Sequence, residues 1–338
     1  MLRKLLKTIF TLGLIAVLIG GGWLWRDYRA WSAAPLRLAQ HELVLNVALG
    51  TSFNQIVSQL RRAHVSNAPR PYWRVLAHEM KVLDGLRAGE YALTPGMTPR
   101  RLLDRMAKGL VIQHQFTIIA GWRFADLRQA LAKAPLLKPT LAGLSDQQIM
   151  ERLGHSELNP EGRFLPETYS FIRGQRDIDV LKHSFRAMQS ALAAAWQERA
   201  GDLPLASTDA LLTLASIVEK ETGRAVDRDK VAGVFIRRLR MGMKLQTDPT
   251  VIYGLGAGFD GNLRRRDLQI DTPYNTYTRA GLPPTPIAMP GRDALRAAVH
   301  PAPGKSLYFV ARGDGSHHFS ATLSEHNRAV AKYQLRRR

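Results

Sequence analysis

Two carboxylates end the segment Ala215-Ser-Ile-Val-Glu-Lys-Glu221, and an acid there is the first candidate for proton transfer. Leu211, Leu214, Ala215 and Val218 recur at helical spacing, which predicts a helix over 208–222 with one apolar stripe. Glu219 follows Ala215 by four residues and so stands on the margin of that stripe. Partial loss of water there favours the protonated form that a general acid needs. The same position also suits a boundary glutamate paired with a nearby arginine or lysine.

Three further clusters carry groups fit for a carbohydrate. Gly162-Arg-Phe-Leu-Pro-Glu-Thr-Tyr169 sets Glu167 beside Thr168 and Tyr169, offering donors and an aromatic face, or else a turn packed by Phe164 and Tyr169. In Leu245-Gln-Thr-Asp-Pro-Thr250, Thr247 and Asp248 precede Pro249, as in a helix cap or turn. Thr272-Pro-Tyr-Asn-Thr-Tyr277 and Gly281-Leu-Pro-Pro-Thr-Pro-Ile287 combine stacking surfaces with rigid prolines, in a sugar groove or an ordinary surface loop. Metal chemistry is not expected: no His-Glu-x-x-His occurs, and only His317 and His318 are adjacent. A nucleophile elbow and a phosphate loop are also missing.

The elements that must position these residues read as a mixed α+β chain. Leu43–Val47 and Gly89–Leu93 have strand character and enclose two helical patterns. The first is capped near Thr51 or Ser52 and carries Phe53, Ile56, Val57 and Leu60. The second starts at Pro71 and carries Trp73, Leu76, Ala77 and Met80. That β-α-α-β order resembles the small LysM fold, and a helix from Thr98 to Lys108, stopped by Gly109, follows it. A larger unit begins with an alternating strand over 111–118. Helices are expected at 124–134, 146–153, 177–200, 208–222 and 226–241, ordered loops from Asp248 to Gly291, a strand at 307–311, and a basic helix from Ser324.

Composition bounds the class. With 338 residues, 45% of them hydrophobic, the chain can bury about two domains' worth of core and is not disordered. It has no cysteine, which removes disulfide scaffolds, thiol nucleophiles and cysteine-ligated zinc, and fits an oxidising compartment. The net charge of +20 invites a nucleic-acid reading. The N-terminus argues against it. Residues Ile9 to Trp25 carry no charge, Arg3, Lys4 and Lys7 precede them, and Trp23 and Trp25 mark an interfacial belt. The positive-inside rule then leaves the N-terminus in the cytoplasm and everything after Arg26 outside. The alternative is a signal peptide cleaved near Ser32-Ala33-Ala34. The organisation expected is a cytoplasmic tip and transmembrane anchor (1–26), a linker (27–40), a LysM-like subdomain (41–110) and a catalytic domain (111–335).

Six motifs, taken in order, resemble one family: Glu161 to Tyr169, Ala215 to Thr222, Val234-Phe-Ile-Arg-Arg-Leu239, Leu245 to Thr250, Tyr274 to Tyr277 with Gly281 to Pro284, and Gly315-x-His317-x-Phe319. The chain is similar to the endolytic murein transglycosylases of the MltG (YceG-like) family, departing from the pattern at Arg237 and Thr285. The resemblance implies an inner-membrane protein with a periplasmic domain that cuts peptidoglycan glycan strands, with no cofactor and no nucleic-acid partner. It implies Glu219 as catalytic acid, and Glu167, Gln246, Asp248, Tyr274, Asn275 and Tyr277 as substrate-binding candidates. Penicillin-binding proteins that polymerise the glycan would be neighbours. Two other functions fit the same residues: a wall-binding scaffold that tolerates loss of Glu219, and a hydrolase that recruits Glu167, Glu221 or Asp248 to activate water. If the domain is exported, a reporter fused after Arg338 will be active only on the outer side of the membrane; activity in the cytoplasm would restore the nucleic-acid reading.

Overall fold

The computed structural model describes residues 2–38 and 42–335, and the chain divides after His114 into two compact units. The first contains α1 (Leu2–Ala33), β1 (Leu43–Val47), α2 (Phe53–Arg62), α3 (Arg70–Glu79), β2 (Gly89–Leu93) and α4 (Pro99–Lys108). β1 and β2 pair antiparallel with Leu45 opposite Tyr91, giving the β-α-α-β order. Local chemistry sets the ends. Ser52 and Gln55 form a reciprocal capping box at α2, Thr98 caps α4, and Gly109 ends α4 in the left-handed conformation at φ 69°. Trp73, Tyr91, Leu60, Leu76, Leu102 and Met106 are fully buried between these elements.

α1 is the one helix among the described residues long and apolar enough to cross a membrane. It differs from expectation at its far end. Residues 27–33, read as linker, continue the helix because their side chains find partners on the first unit. Tyr28 is buried and donates to Glu79 at 2.5 Å, and Asp27 accepts from the Tyr72 hydroxyl at 2.8 Å. Residues 39–40 of the expected linker lie outside the described residues.

The second unit holds β3 (His114–Thr117), which begins at the boundary, then α5 (Phe124–Ala132), α6 (Asp146–Leu153), β4 (Thr168–Phe171), α7 (Asp177–Gln197), α8 (Thr208–Glu221), α9 (Ala225–Arg240), α10 (Asp248–Leu255), α11 (Arg292–Val299), β5 (Tyr308–Ala311), β6 (His317–Ser320) and α12 (Leu323–Val330). β3 pairs with β4, and β5 with β6 as an antiparallel hairpin with Phe309 opposite Phe319. The fold is therefore mixed α+β, with helices carrying the core.

α8 is the centre of that core. Every residue from Leu211 to Val218 is buried, because α7, α9, α10 and α11 surround the helix rather than flank one face. Its two buried hydroxyls are satisfied locally: Thr213 donates to Asp209 O at 2.8 Å and Ser216 to Thr213 O at 2.7 Å. α10, α11, β4 and β6 were not legible in the sequence. α10 and β4 are short and lie in Pro/Gly/aromatic stretches, and α11 lies between two such stretches.

Ser216 also accepts the buried Ile287 N–H at 3.0 Å, tying the 281–291 segment to α8. Ser216→Ala leaves that N–H unpaired and should lower the unfolding free energy by about 1–3 kcal/mol, read from urea unfolding curves.

Candidate active site

Residues 219 and 221 lie about 200° apart around α8, so their carboxylates leave the helix on different sides. On the Glu219 side, Oε2 accepts the Gly291 N–H at 2.9 Å and Oε1 stands 4.0 Å from the Arg228 guanidinium. Arg228 also reaches Asp293 at 3.3 Å, and Arg292 donates to Glu167 at 2.7 Å. Glu219 and Glu167 thus both meet the start of α11, Glu219 at its N-cap residue Gly291 and the more exposed Glu167 at Arg292.

The Glu221 side is different. Here a cavity of about 390 Å³ opens, lined by Glu221, Arg238, Gln246, Asp248, Tyr277 and His317 among others. The Thr247 hydroxyl donates to Glu221 Oε1. Burial pushes the Glu221 carboxyl up to about 7, helped by the charge of Asp248 and opposed by Thr247 and Arg238. The Tyr277 hydroxyl donates to Asp248 Oδ1 at 2.6 Å; burial and that carboxylate together push the phenol well above its ordinary range.

The cavity walls are held by backbone-directed hydrogen bonds. Gln246, in the left-handed region at φ 51°, donates its N–H to Thr276 O at 3.1 Å, and Thr247 N–H reaches the Thr276 hydroxyl at 3.1 Å. The buried Arg238 guanidinium lies over the Tyr308 ring and donates to Leu245 O and Leu307 O, each at 2.7 Å, joining the 245–250 segment to β5. His317 offers both its backbone N–H, at 2.9 Å, and its ring Nδ1, at 3.3 Å, to buried Asp227.

Of the residues singled out by sequence, Gln246, Asp248 and Tyr277 come together around Glu221. Glu219 and Glu167 do not join them. Asn275 is buried beneath the loop. Its amide donates to Leu268 O and Ile270 O and accepts from Tyr277 N–H, bracing the loop from within. Tyr274 likewise holds the loop, with its hydroxyl 2.9 Å from that of Thr285 and its ring against Tyr253. Tyr253 in turn donates to buried Glu161 at 3.1 Å, a second carboxyl that burial raises to about 7, but outside the cavity.

Beyond the binding candidates, Glu221, Arg238 and His317 also line the cavity. A signal for the first existed: Leu211, Leu214, Val218 and Glu221 stand at i, i+3, i+7 and i+10, so Glu221 continues the stripe that Glu219 only borders.

The sequence pattern of the YceG-like family matches residues 45–332. This chain belongs to the YceG-like family. A Bacillus subtilis relative named endolytic murein transglycosylase is 32% identical, the alignment covering 86% of this chain and 84% of that protein. A Streptococcus pneumoniae protein of the same name is 26% identical over 94% of this chain and 63% of its own length. A YceG-like protein from Listeria monocytogenes, solved by crystallography, superposes with a TM-score of 0.54 at 28% identity, covering 85% of this chain and 98% of that one.

A carboxyl raised from 4.5 to about 7 on folding adds stability that is complete below about pH 4.5 and is lost as the pH rises through about 7. Glu221→Gln removes that loss. Its melting temperature should exceed that of the parent at pH 8, and the gap should close below pH 5; a gap constant with pH would contradict the buried acid.

Proposed function

We propose that this YceG-like chain is a membrane-anchored endolytic transglycosylase of peptidoglycan and that Glu221 is its acid and base. The observation that carries the assignment is one carboxyl held near neutrality, facing a cavity that also gathers Gln246, Asp248 and Tyr277. A general acid works best when its proton affinity matches the working pH. The names of the Bacillus and Streptococcus relatives supply the substrate class.

In this mechanism Glu221 protonates the glycosidic oxygen between N-acetylmuramic acid and N-acetylglucosamine. The bond to the muramic anomeric carbon breaks, leaving an oxocarbenium-like sugar. Its own C6 hydroxyl attacks that carbon, and ionised Glu221 takes the released proton, restoring the acid. The product ends in 1,6-anhydro-muramic acid. One carboxyl suffices because the nucleophile is intramolecular and already close. Asp248, held by the Tyr277 hydroxyl, would position sugar hydroxyls at the cavity edge. Glu219, which accepts the Gly291 N–H and stands near Arg228, is the other candidate acid on the same helical turn.

The remaining parts of the reading concern place. α1 would span the bacterial inner membrane once, with the N-terminus cytoplasmic and both units periplasmic. A cleaved signal peptide is disfavoured, because cutting near Ser32 would strip Tyr28 from the core of the first unit. The β-α-α-β unit would serve as a LysM-like glycan holder. A cavity of about 420 Å³ between the start of α2 and the loop after α3, lined by Thr51, Asn54, Arg74 and Asp84, supports that role. Cutting beside the membrane would release growing strands near the penicillin-binding proteins that make them and so set strand length.

A second reading, hydrolysis, draws on Asp248 as a carboxylate beside Glu221 that could activate water. Mass spectrometry of uncrosslinked glycan strands incubated with the full chain separates the two. New 1,6-anhydro ends are expected from the parent and from Glu219→Gln, with a loss of roughly 10²–10⁴-fold for Glu221→Gln. Reducing ends would favour hydrolysis. The reverse ranking of the two variants would return the catalytic role to Glu219.

A further inference from the structure

α1 passes from its apolar run into the first unit without a proline or a break. Trp25 is still exposed, yet two and three residues later Asp27 and Tyr28 are bonded to Tyr72 and Glu79 on α3. At about 1.5 Å rise per residue, these contacts lie within about 5 Å of Trp25 along the helix axis. Arg100 on α4 donates to the other Glu79 oxygen at 2.8 Å, which brings it to the same level. One turn further, Trp31 packs edge-on against Trp73 with ring centroids 5.1 Å apart, and Leu36 N–H is bonded to Met97 O at 2.7 Å. From Asp27 on, the helix is therefore clamped on several sides, and between Trp23 and that clamp it has neither glycine nor proline. Tyr72, Val75 and Glu79 share one face of α3 at i, i+3 and i+7, and Val75 is an exposed apolar residue on it.

We propose that this face of the first unit is a bilayer-contact surface, pressed by the anchor helix onto anionic phospholipid headgroups, with Arg29 as the cationic contact. The inference rests on α1 being the membrane anchor. A Trp belt marks the headgroup level, and basic side chains there are drawn to anionic lipid. The α3–α4 face lies at that level by helix geometry, and exposed Val75 gives it an apolar point of entry.

The chain has no cysteine, so single spin labels can be introduced cleanly. The full chain is placed in nanodiscs of phosphatidylcholine alone or with phosphatidylglycerol, and each label is read with oxygen and with a water-soluble nickel chelate. A Gly13→Cys label should read as bilayer interior, and a Val75→Cys label as headgroup layer in both lipids, with nickel accessibility several-fold below that of a free aqueous label. An aqueous label at 13 would overturn the anchor itself. An interior label at 13 with an aqueous label at 75 would overturn the contact surface alone. A second variant carries a flexible Gly/Ser segment between Arg26 and Asp27, leaving the docked residues intact. Its label at 75 should become aqueous in phosphatidylcholine and stay at the headgroups when phosphatidylglycerol is present. Retention in phosphatidylcholine would overturn the rigid connection, and release in phosphatidylglycerol would overturn the charge contact.

Discussion

The second unit depends on the complete enclosure of α8. A helix packed on one side could tilt or fray at its end without consequence. A helix buried from Leu211 to Val218 cannot, so its last turn is fixed in position and direction. The two glutamates of that turn inherit the precision of the core. One is delivered to the α11 start, where its carboxyl meets a backbone N–H and, at 4.0 Å, a guanidinium. The other is delivered to a cavity, where desolvation raises its proton affinity. Chemically identical side chains two residues apart thereby enter different surroundings, and the cause is only which neighbour each meets.

The cavity illustrates how a stretch rich in proline, glycine and aromatics becomes rigid without regular structure. The 245–250 and 272–278 segments are joined at Thr276, whose carbonyl accepts the Gln246 N–H and whose hydroxyl meets the Thr247 N–H and the Thr250 hydroxyl, while the Asn275 amide ties the second segment to Leu268 O and Ile270 O. Arg238 closes the assembly by donating to carbonyls from two separate segments. Side chains tied in this way fix the ones that line the cavity. Preorganisation of that kind lets a single acid act with little rearrangement.

In the first unit the corresponding constraint is the aromatic junction around Tyr28, Trp31, Tyr72 and Trp73. Packed rings with hydroxyls satisfied by Asp27 and Glu79 convert what would be a tether into a stalk. Glycine and serine are absent from residues 23–31, where flexibility would defeat this, and Ser32 is itself buried with its hydroxyl bonded to Arg29 O.

The sequence alone determined the elements whose signals are local. Capping at Ser52 and Thr98, the glycine stop at Gly109 and the apolar period of α2, α3 and α8 each depend on residues a few positions apart, so they could be read directly. The uncharged run before Trp25 declared a helix for the same reason. Where that helix ends, how many sides of α8 are covered and what each glutamate meets depend on residues far off in the chain: Glu79 for Tyr28, Gly291 for Glu219, Thr247 and Asp248 for Glu221. A period of 3.6 residues says which positions share a face, but not what that face meets. Desolvation and hydrogen bonding, which decide a carboxyl's chemistry, are properties of the meeting, and only the tertiary structure supplies it.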